Sequence, residues 1–119
     1  MAKRRNRQPA APSTDYRSAG GDQTLTLRGA MTAKTREQYR QETSPAGVRA
    51  AMSTDDIRER ALEFLFERLV KGWTIAGVET GRPQELLARY RVATREERDW
   101  ITSVLREHCA EWFPDVRVP

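Results

Sequence analysis

The sequence predicts an all-α fold: a small three-helix domain behind an extended basic N-terminal arm. Three observations carry this expectation. Apolar residues recur at helical spacing across 57–73 and again across 100–112. Two helix-start signatures, "STDD" at 53–56 and "TREE" at 94–97, stand directly before those stretches. The first 22 residues show no apolar periodicity at all. With 119 residues, of which 38% are apolar and 32% charged, the chain has material for one modest core.

Residues 1–22, "MAKRRNRQPAAPSTDYRSAGGD", are polar and carry Pro and Gly, so a disordered basic arm is expected there. Residues 23–52 are expected to be an extended or short-helix linker that docks on the domain. Within them "TLTLRG" alternates Leu25 and Leu27 with Thr24 and Thr26, the period of a short strand. "TREQYRQ" at 35–41 suits a short helix that "SPAG" at 44–47 breaks.

The helical domain is expected over 53–113, with 114–119 as a C-terminal tail. Its first helix starts at the N-cap Ser53, and Asp55 and Asp56 complement the helix dipole. Ile57, Ala61, Phe64 and Leu65 form one stripe, and Leu62, Phe66, Leu69 and Trp73 form a second beside it. Together they cover more of the helix than one core-facing stripe needs. Either a partner covers the excess, or Leu25, Leu27, Met31 and Tyr39 of the preceding segment fold back over it. Pro83 opens a short second helix whose buried side is Leu86, Leu87 and Tyr90. Thr94 and Glu97 form a capping box for the third, which presents Trp100, Ile101, Val104, Leu105, His108 and Trp112 on one face until Pro114.

The glycines of "KGWTIAG" and the two helices of "ELLARYRVATREERDWITSVL" carry a family resemblance. Over about 60–105 the chain resembles winged-helix regulators of the gluconate-repressor type. That resemblance implies a winged-helix-like domain in which the helix after Thr94 reads DNA, with Arg95 and Arg98 as the contacts. A plain helical hairpin accounts for the same stretch: Glu96, Glu97 and Asp99 at the helix start stabilise its dipole and would oppose phosphates. The hairpin is the preferred expectation.

No constellation for catalysis is expected. His108 and Cys109 are neighbours on a helix and therefore point about 100° apart, and the chain has no second His. No four-ligand metal spacing and no phosphate-binding glycine loop occur, so neither cofactor nor metal is expected. No segment approaches the roughly 20 apolar residues of a membrane span, and the basic start runs into "QPAAPSTD" rather than an apolar signal region. The single Cys109 suits a cytoplasmic location.

Charge is uneven. Residues 1–50 carry ten Lys or Arg against four Asp or Glu, whereas 51–119 carry eleven against thirteen. The expected function is a non-enzymatic interaction or assembly protein. Lys3, Arg4, Arg5 and Arg7 tether it to nucleic acid or another acidic surface. Phe64, Phe66, Leu69, Trp73, Trp100 and Trp112 supply a surface for a protein partner or a second copy. Small adaptors of phage-like or nucleoprotein particles share this plan.

Overall fold

Leu25 and Leu27 do lie on a strand, but that strand has neighbours on both sides. The computed structural model describes residues 12–43 and 53–119. Their order is β1 (Ser13–Arg17), β2 (Gln23–Arg28), α1 (Ala33–Thr43), α2 (Thr54–Leu69), β3 (Val70–Ile75), β4 (Val78–Thr80), α3 (Pro83–Arg91) and α4 (Arg95–Trp112). The strands form one antiparallel sheet in the order β1-β2-β3-β4. The fold is therefore mixed α/β, which corrects both the all-α and the helical-bundle expectation.

The correction has two local causes. Leu69 and Trp73 continue the spacing of Phe66, yet the helix ends at Leu69 and Trp73 reaches the core from β3 instead. Val70, Thr74, Ile75, Val78 and Thr80 are β-branched and favour the pleated chain, and Ala76–Gly77 turns it back as a two-residue hairpin. Ser13–Arg17, expected within the arm, forms β1, because Tyr16 pairs with Leu25 and turns its ring inward to His108.

Helices cover one face of the sheet only. Leu25, Leu27, Val70 and Trp73 are buried beneath them with Leu65, Phe66, Leu69, Ile101 and Leu105. The other face carries Asp15, Arg17, Thr24, Thr26, Thr74 and Glu79, each exposed or half-buried, the usual division for an antiparallel sheet with one wet side. The wide apolar surface of α2 is covered by the chain itself. Leu25, Leu27 and Tyr39 are buried in its cluster and Met31 packs against it. That surface no longer requires a partner.

The expected capping box at Thr94 is present, and the expected N-cap Ser53 forms a second one: Asp56 N–H donates to Ser53 Oγ, and Glu97 N–H donates to Thr94 Oγ1, each at 3.1 Å. The C-terminal residues also pack. Phe113 and Val116 are buried, the Tyr39 hydroxyl donates to the Arg117 carbonyl, and Arg106 donates to the Pro119 oxygen at 2.7 Å.

The β3–β4 turn contains a local conflict. Ala76 has φ 50° and Gly77 has φ 83°, the left-handed pair that such hairpins require, and alanine adopts it at a steric cost. Ala76→Asn is expected to raise the melting temperature by about 3 °C. Differential scanning calorimetry of the two proteins measures this directly.

Candidate functional site

Helix α4 lies along β2 and is fixed to it near both ends. At one end His108 is fully buried, with Nε2 2.7 Å from the Arg28 carbonyl and Nδ1 2.8 Å from the Tyr16 hydroxyl. A carbonyl can only accept, so Nε2 carries the proton and Nδ1 accepts from Tyr16. Burial lowers the His108 pKa, opposed by the Arg28 hydrogen bond and by the charge of Glu111. The ring is a neutral clamp between β1, β2 and α4.

At the other end Glu97 collects three elements. Its Oε2 accepts from Arg89 at 2.6 Å and from Gln23 at 2.9 Å, and its Oε1 accepts from the Thr94 N–H at 2.9 Å. Burial raises the Glu97 pKa, but the Thr94 bond, then those of Arg89 and Gln23, with the Arg89 charge, bring it down to about 2. The network closes on Trp73, whose indole N–H donates to Gln23 Oε1 at 3.1 Å while the Arg89 guanidinium lies 4.9 Å from its ring. The spacing is matched. Eleven helical residues rise about 16 Å, and so do the five strand steps from Gln23 to Arg28.

The cationic surface gathers where β1 begins. The Gly29 N–H donates to the Pro12 carbonyl at 2.7 Å, and Ser13 pairs with Arg28, so Pro12 lies beside Arg28. Arg28 reaches toward the Arg68 carbonyl at 3.5 Å, in the last turn of α2. Lys71 follows Val70, which pairs with Leu27. All three are exposed, and none joins an ion pair among the described residues. Other arginines are already engaged: Arg91 pairs with Glu63 at 2.7 Å, Arg98 with Glu59 at 2.7 Å, and Arg36 and Arg40 share Asp115.

Lys3, Arg4, Arg5 and Arg7 lie outside the described residues. Of the six residues expected at a protein interface, Phe64, Phe66, Leu69 and Trp73 are core residues. Trp112 is half-buried, with its ring 6.3 Å from that of His108. Trp100 alone borders a groove, of about 480 Å³. Among the two alternative DNA contacts, Arg98 is occupied by Glu59 and by the Arg91 carbonyl at 3.1 Å. Arg95 is exposed beside Asp55, Glu59 and Asp99. Among the described residues no strand follows α4 to act as a wing; the hairpin β3–β4 precedes α3.

Sequence reasoning missed Arg28, Arg68 and Lys71. Arg28 is 40 positions from Arg68, and only the pairing of β2 with β3 brings it beside Arg68 and Lys71. Burial, with a contribution from Asp115, pushes the Cys109 thiol up to about 12, so it stays protonated at neutral pH. Among the described residues no group of three His, Cys, Asp or Glu side chains is placed to hold a metal ion, and no helix is long and apolar enough to cross a membrane. No protein-family model, curated protein or solved structure matches this chain.

Proposed function

We propose that this is a non-enzymatic binding protein whose basic N-terminal segment, with Arg28, Arg68 and Lys71, attaches a folded α/β body to nucleic acid, as a component of a nucleoprotein assembly. The observation that carries this reading is the junction at Pro12. The segment bearing Lys3, Arg4, Arg5 and Arg7 enters the fold beside three further cations that have no carboxylate partner among the described residues. Four cations close together in sequence, joined to three exposed ones that no carboxylate neutralises among the described residues, suit a polyanion. No aromatic ring of the sheet faces the open side, since Tyr16 and Trp73 turn inward. Contacts to phosphate therefore dominate over base stacking, and sequence preference is weak.

The test is a titration of labelled duplex DNA and single-stranded RNA across a salt series. For duplex DNA seven phosphate contacts give a slope of log affinity against log salt of about −6. Replacing Lys3, Arg4, Arg5 and Arg7 by Ala is expected to reduce it to about −3. Exchanging Arg28, Arg68 and Lys71 for Ala should weaken binding less, and Arg95→Ala least. A slope that survives loss of the four N-terminal cations, or tight binding to one DNA sequence lost with Arg95, would show that the attachment lies elsewhere.

A further inference from the structure

We infer that the groove beside Trp100 is a docking site for an arginine- or lysine-bearing peptide segment of a protein partner. It lies at the opposite end of the β1–β2 hairpin from the cationic surface. Ser18, Asp22 and Gln23 line one side, and Glu96, Glu97 and Trp100 of α4 the other.

Four of the protein's eight other aromatic rings point to the ligand. Four rings are each covered by one of the chain's own guanidinium groups: Phe113 by Arg36 at 5.3 Å, Phe64 by Arg68 at 5.0 Å, Trp73 by Arg89 at 4.9 Å and Tyr90 by Arg98 at 4.9 Å. Trp100 is half-buried and has no such cation among the described residues. Its ring instead borders an open groove with carboxylates on both sides. A cation from outside would find there an aromatic ring of the kind that internal arginines cover elsewhere.

The charges are suitably placed and suitably idle. Glu97 is held by Arg89 and Gln23 and adds no net attraction. Asp22 and Glu96 are exposed and in no ion pair among the described residues. Glu96 lies one helical turn before Trp100, so carboxylate and ring share a face of α4. Asp22 is positioned by its surroundings: its Oδ1 accepts from Ser18 Oγ at 3.1 Å, and its carbonyl accepts from the Ala76 N–H at 2.8 Å. The wall carrying it is thus tied to the β3–β4 turn, so docking requires little ordering of the groove. An aromatic ring with a carboxylate at each side suits a guanidinium or ammonium at the tip of a long side chain.

The experiment is an NMR titration of the ¹⁵N-labelled full chain with tetra-arginine amide, with tetra-glutamate and a tetradeoxynucleotide as controls. Tetra-arginine should give saturable shifts at the Trp100 indole N–H and at the amides of Asp22 and Glu96, and the controls should leave these signals in place. Trp100→Ala should weaken binding about threefold or more, and Trp100→Phe should retain most of it. Asp22→Asn with Glu96→Gln should weaken it about tenfold. Melting curves confirm that each variant is folded. Shifts scattered over the acidic surface, affinity unchanged in these variants, or saturation of the same signals by the tetradeoxynucleotide would overturn the inference.

Discussion

A chain lacking residues 1–22 is expected to melt at least about 15 °C below the intact protein, whereas one lacking only 1–11 should melt within about 2 °C of it. The two deletions differ by β1. Loss of β1 removes the ladder to β2, the Tyr16 ring and its hydrogen bond to His108 Nδ1. Truncating a fully buried aromatic side chain typically costs about 3–5 kcal/mol, and the half-buried Tyr16 contributes the lower part of that range. The loss leaves His108 with an unsatisfied nitrogen, which adds a further penalty of about 1–3 kcal/mol. Every interaction described here survives the shorter deletion. Circular dichroism melts of the two truncated chains decide the matter: equal melting temperatures would mean that β1 contributes nothing to stability.

Glu97→Gln is expected to cost about 2–3 kcal/mol at neutral pH and to remove one step of acid unfolding. The sign follows from the direction of the shift. Glu97 titrates near 2 in the folded chain, below its ordinary 4.5, so the folded state favours the carboxylate. The stabilisation is complete above about pH 4.5 and is lost as pH falls toward 2. His108 adds an earlier step of the same sign. Its pKa is lowered in the fold, so stability declines as pH drops below its ordinary value of 6.5. Urea denaturation from pH 7 to pH 3 should show both steps in the native chain and only the first in Glu97→Gln. A variant that still follows the native curve below pH 4.5 would place the acid sensitivity on another carboxylate.

Features resting on near neighbours were legible in the sequence. Ser53 with Asp56, Thr94 with Glu97, Pro83 at a helix start and the alternation around Leu25 are all local patterns, and each has its structural counterpart. Features depending on distant residues were not. "STDYR" contains one aromatic residue in five and becomes a strand because Tyr16 finds His108, 92 positions away. Trp73 continues the helical spacing of Phe66 and Leu69, and the two-residue turn at Ala76–Gly77 places it on a hairpin strand instead. At the proposed nucleic-acid surface the basic run at residues 3–7 was visible as a run. Arg28, Arg68 and Lys71 looked like scattered surface charges until strand register gathered them.

The attachment of α4 to β1 and β2 also bears on how the chain is made. Tyr16 to His108, Gln23 to Glu97, Arg28 to His108 and Tyr39 to Arg117 join residues separated by 92, 74, 80 and 78 positions. Each contact requires closure of most of the chain, and that entropy has to be lost before the contact rewards it. During synthesis the first hairpin emerges with Leu25 and Leu27 uncovered until α2 and β3 follow, and Tyr16 lacks its His108 partner until α4 is made. For that interval a sticky strand pair with open edges is exposed. The polar Asp15, Arg17, Thr24 and Thr26 on its other face make the nascent hairpin apolar on one side only, which limits its means of self-association before α4 arrives.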